Sequence, residues 1–89
     1  MEHALIDWDD PDDPFGNTAH VAEHRLTPEE VESMLRDADD HDLSDSSGRL
    51  MARGMTHTGR FIIVPYDILC EDPLIVRPIT AYEPDDPLE

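Results

Sequence analysis

The sequence contains no lysine, and its positive charge rests on six arginines among 89 residues. Set against 14 aspartates and eight glutamates, they leave a formal net charge of −16. Binding to phosphate backbones needs a net of basic groups, so non-specific nucleic-acid binding by the chain as a whole is excluded. Cysteine occurs once, at Cys70, which excludes an intramolecular disulfide and a cysteine-based zinc site. No apolar run approaches the roughly 20 residues of a membrane-spanning helix. The N-terminus lacks both the basic and the apolar stretch of a signal peptide. These absences lead to the expectation of a cytoplasmic protein without membrane association. Internal repeats are missing too, and 89 residues leave room for one small domain.

What charge there is falls unevenly. Residues 1–45 hold 15 acidic side chains against Arg25 and Arg36. Residues 46–82 hold three, Asp67, Glu71 and Asp72, against Arg49, Arg53, Arg60 and Arg77. The tail 83–89 adds four more acids. A chain that otherwise avoids positive charge has kept four arginines in its most strand-like segment, and they are the first candidates for function. The acidity itself has three readings: adaptation to a salty environment, an acidic surface for a basic partner, or partial disorder around an ordered core. RNA could be met only through a local arginine patch.

Hydrophobic residues make up 38 % of the chain, enough for a thin core of one sheet covered by one or two helices. Residues 3–8 read as a first strand, and 9–16 (DDPDDPFG) as a loop. Asn17 is the expected N-cap of a short helix through His24. Thr27, Pro28 and Glu30 then form a capping box, the clearest local signal in the chain. Val31, Met34, Leu35 and Ala38 give the helix that follows one apolar stripe. Residues 39–48 are polar and read as a loop. Three strands follow at 49–57, 60–66 and 74–82, with Thr58-Gly59 as a hairpin turn and 67–73 as a longer loop. Pro65 and Pro78 argue for strand ends or a bulge. The expected fold is α+β, β-α-α-β-β-β, an antiparallel sheet with helices on one face; one domain spans 1–82 and a flexible acidic tail 83–89.

Alternation places Arg49, Met51, Arg53, Met55 and His57 in one row, Arg60, Ile62, Val64 and Tyr66 in another, and Ile75, Arg77, Ile79 and Ala81 in a third. Such rows suggest guanidiniums beside half-buried apolar side chains. His20 and His24, four apart on one helix face, have a geometry that zinc can use, but no third ligand is indicated. Asp9, Asp10, Asp12 and Asp13 lack the spacing and closing glutamate of a calcium loop. The reading therefore calls for no metal and no cofactor.

Residues 17–35 (NTAHVAEHRLTPEEVESML) resemble the N-terminal helices of BrnT-type toxins, whose usual wording is Lys-His-Gly-Val followed by a capped helix. Arg49, Gly54, Thr56, Gly59 and Arg60 are similar to that family's hairpin in spacing. Residues 76–81 (VRPITA) are similar to its last strand, usually Ile-Arg-Ile-Ile-Ser-Ala. The resemblance covers roughly 6–82 in the same order. It implies a RelE-like ribonuclease fold, the toxin role of a toxin–antitoxin pair, and neutralisation by a DNA-binding antitoxin. Carried over by position, it implies His24, Arg49, Arg60 and Arg77 as RNA-contacting or catalytic residues. Arginine suits the role of stabilising a phosphorane through its bidentate fork. The chain departs from the family where lysine becomes Glu23, glycine becomes Arg25, and the arginine after Ser-Ala becomes Tyr82. It also ends in EPDDPLE where the family continues into a helix. Two expectations follow: a weak or conditional endoribonuclease whose partner is an antitoxin or other basic protein, or a non-catalytic protein–protein interaction module that has kept the fold.

Repulsion among 16 uncompensated negative charges must cost the compact state stability. The thermal midpoint should therefore rise between about 0.1 M and about 1 M KCl, where the Debye length shrinks from roughly 10 Å to roughly 3 Å. A falling midpoint in a calorimetric salt series would mean that attractive ion pairs outweigh the repulsion.

Overall fold

The computed structural model describes residues 3–37, 41–43 and 50–84. In chain order they form β1 (Leu5–Ile6), α1 (Asn17–Glu23), α2 (Pro28–Asp37), β2 (His41–Leu43), β3 (Leu50–Met55), β4 (Phe61–Glu71) and β5 (Leu74–Pro78). The α+β class is as expected. The strands lie side by side in the order β1-β5-β4-β3-β2. None of the helices among the described residues is long and apolar enough to cross a membrane.

The sheet is mixed rather than purely antiparallel. β1 runs parallel to β5, with Leu5 opposite Ile75 and Ile6 opposite Val76. Two helices intervene between β1 and the rest of the sheet, so no hairpin constrains its direction. β2 falls within 39–48, a stretch whose polar composition reads as a loop; its register with β3 (His41 opposite Ala52) supplies pairing that composition does not reveal. β4 continues through the expected loop to Glu71 and returns directly into β5, with a bulge between Ile68 and Cys70. Pro78 ends β5 as its chemistry suggests, whereas Pro65 lies inside β4, the central strand. In a strand, a residue's N and O face the same neighbour. The Pro65 oxygen accepts from the Ile79 amide at 2.9 Å, so the donor that proline lacks would have faced chain already past β5. The expected strand 74–82 is thus shorter as a regular element, but Tyr82 still exchanges both backbone hydrogen bonds with Ile63 (2.8 and 3.0 Å).

One side of the sheet carries the core. Ala52, Ile62, Val64, Tyr66 and Val76 are buried against Val21, Leu26, Val31, Met34 and Leu35 from the helical side. The α2 stripe is therefore core, as its spacing indicates; its expected last member, Ala38, lies outside the described residues. Alternation then sends Leu5, Met51, Met55, Phe61, Ile63 and Ile75 to the opposite side. Neither helix covers that side.

Two tight turns shape the corner where α1, α2 and the β3–β4 hairpin meet. α1 ends in a paired-hydrogen-bond cap: the Leu26 amide donates to Val21 O, and the Arg25 amide to Ala22 O, both at 3.0 Å. Arg25 accordingly adopts a left-handed conformation with φ 62°, a position that glycine or asparagine normally fills. Buried Val21 and Leu26 supply the apolar contact that accompanies such caps. The hairpin turn is wider than Thr58-Gly59 alone. Thr56 N donates to Arg60 O at 2.8 Å and Gly59 N to Thr56 O at 3.0 Å, with Gly59 at φ 85°.

The two left-handed positions should respond in opposite directions in chemical denaturation. Arg25→Gly removes a side chain from a strained position and should stabilise by roughly 0.5–1 kcal/mol. Gly59→Ala has open space around the new Cβ, so strain alone should destabilise it, by about 1–2 kcal/mol.

Candidate functional site

Arg77 stands between buried Val76 and Pro78, so its side chain leaves the sheet on the uncovered side. Its guanidinium forks onto Asp9, with Nη2 2.6 Å from Oδ2 and Nη1 3.0 Å from Oδ1; Nη1 also donates to Asp7 Oδ2 at 2.9 Å. The Asp9 carboxylate accepts the Asn17 amide at 2.9 Å, and the Asn17 Oδ1 accepts the Asp9 amide at 2.8 Å. Asn17 Nδ2 donates to the carbonyls of Asp7 and Pro78 at 2.9 and 2.8 Å. Asn17 is thus the first residue of α1 and a buried polar hub, not its N-cap; Gly16 is the cap and offers no side chain. A Cβ on Gly16 would stand 2.5 Å from that of Asp9, so glycine is what lets the acidic loop close on the helix start.

Arg60 lies just before β4 on the helix-covered side. Its Nη1 donates to the Arg25 carbonyl and lies 3.5 Å from Glu30 Oε2. Its Nε (3.2 Å) and Nη2 both donate to Glu83 Oε1. Glu83, the first residue of the expected acidic tail, thus bonds Arg60 at this corner. Glu30 completes the capping box: Thr27 N donates to Oε1 and Glu30 N to Thr27 Oγ1, each at 3.2 Å, while Thr58 Oγ1 donates to Oε2. One turn further along α2, Ser33 Oγ accepts the His57 amide at 3.0 Å.

The charges adjust accordingly. Arg77 is raised, by Asp9 first and Asp7 second, so it stays protonated throughout the accessible range. Asp9 lies below its ordinary value because Arg77, and then the Asn17 amide, bond its carboxylate. Burial alone would push Glu30 up, but Thr58, Thr27 and Arg60 more than offset it, and its carboxyl also lies low. Arg60 is raised chiefly by Glu83.

Among the described residues, those that the family resemblance picks out fall in two places. Arg49 lies outside the described residues. His24 caps α1 with its ring centroid 6.2 Å from that of Tyr82, and so shares the Arg25–Arg60 corner. Arg77 sits opposite Asp67, seven positions along β4 from Arg60, a span of roughly 20 Å. Two arginines so far apart, on opposite sides of a sheet, cannot grip one phosphate. His20 Nδ1 is 3.4 Å from Ile79 O. Among the described residues, no three His, Cys, Asp or Glu side chains converge to hold a metal ion. The partners that matter most here, Asn17, Asp9, Glu30 and Glu83, carry no motif except the capping-box glutamate. No family model, curated protein or solved structure matches the chain.

Both low-lying carboxylates contribute stability that is complete above their ordinary values and lost as pH falls through their depressed folded-state values. Asp9→Asn and Glu30→Gln should therefore melt well below the wild type near pH 7. That gap should close below about pH 4, the ordinary carboxylate range. A gap independent of pH in thermal melts would show that their charge is not what holds the two corners.

Proposed function

We propose that the chain is a non-catalytic protein–protein interaction module on a BrnT-type, RelE-like frame, with a basic protein of the antitoxin kind as its partner. The observation that carries this reading is the double saturation of the candidate arginines. Arg60 and Arg77 each hold two carboxylates, on opposite sides of the sheet. RNA cleavage by the 2′-hydroxyl needs a base, an acid and a cation at one phosphate. Here each cation is committed to a carboxylate pair, and an incoming phosphate would have to displace charge-assisted bonds on a strongly acidic protein.

The frame itself is supported by local geometry. Arg25 is left-handed at the position where the family wording has glycine, the residue such a conformation favours. A capped helix at Pro28–Asp37 and a β3–β4 hairpin with Gly59 in its turn support the same reading.

The test is incubation of end-labelled RNA with the purified, folded protein at about 0.1 M and about 1–2 M KCl, salts that bracket strong and weak screening. No cleavage is expected at either salt. Cleavage by the wild type that disappears in Arg60→Ala/Arg77→Ala would establish the ribonuclease reading instead.

A further inference from the structure

We draw no further inference here: the strongest candidate, the sheet face that neither helix covers among the described residues, with Leu5, Met55 and Phe61 exposed on it, carries nothing because Arg53 and Arg77 stand there beside Asp7 and Asp67, so that the described charges nearly cancel and nothing in the structure shows what covers it.

Discussion

The buried carboxylate of Glu30 is the constraint on which the helical layer depends. A helix start leaves amide groups without partners, and a capping box ordinarily satisfies two of them locally. Here the same side chain has a second oxygen, and that oxygen takes the Thr58 hydroxyl from the tip of the β3–β4 hairpin. Glu30 thus fixes the start of α2 and, at once, its position over the sheet. Ser33 repeats the attachment one turn later through the His57 amide. Arg60 then ties the Glu30 corner to the Arg25 carbonyl and to Glu83. An incompletely bonded buried carboxylate is costly, and both Glu30 oxygens have partners here, from Thr27 and Thr58.

A second cluster does the same work at the other end. Asp9 closes the acidic loop onto α1 through Asn17 and onto β5 through Arg77, joining parts of the chain 68 residues apart. Both clusters follow from composition. With 22 carboxylates and six guanidiniums, an arginine beside a sheet meets carboxylates before it can stay open to a ligand. The family resemblance assigns Arg60 and Arg77 a shared role. The surplus of acid gives each a separate counterion instead, which converts candidate phosphate ligands into structural cross-links.

The legible parts of the sequence are those whose physics is local. Thr27, Pro28 and Glu30 specify a helix start without any knowledge of the rest of the chain, and α2 begins where they place it. Alternation likewise sorts Ile62, Val64 and Tyr66 into one row, and all three are buried. What alternation does not supply is the relation between strands. Arg60 and Arg77 each share a row with apolar residues, and only the β4–β5 register puts those rows on opposite sides. The parallel seat of β1 and the pairing of β2 are non-local in the same sense. Asn17 departs from its expected capping role for a related reason. Its side chain is of a type that caps helices, yet its partners Asp7, Asp9 and Pro78 come from loop and strand, and four aspartates in 9–13 give no hint of which one closes.

The open apolar side and the acidic composition are best understood together. Among the described residues neither helix covers one face of the sheet, where copies of the chain could associate, and short edge strands at β1 and β2 limit only pairing through the edges. Charge limits the rest. Two molecules of −16 repel before their apolar faces can meet, so the bare side is kept from its own kind at moderate ionic strength. Salt therefore acts twice and in opposite senses: it relieves repulsion within the folded chain and weakens the barrier between chains. The same excess of carboxylates that gives Arg60 and Arg77 their counterions thus also keeps copies of the chain apart.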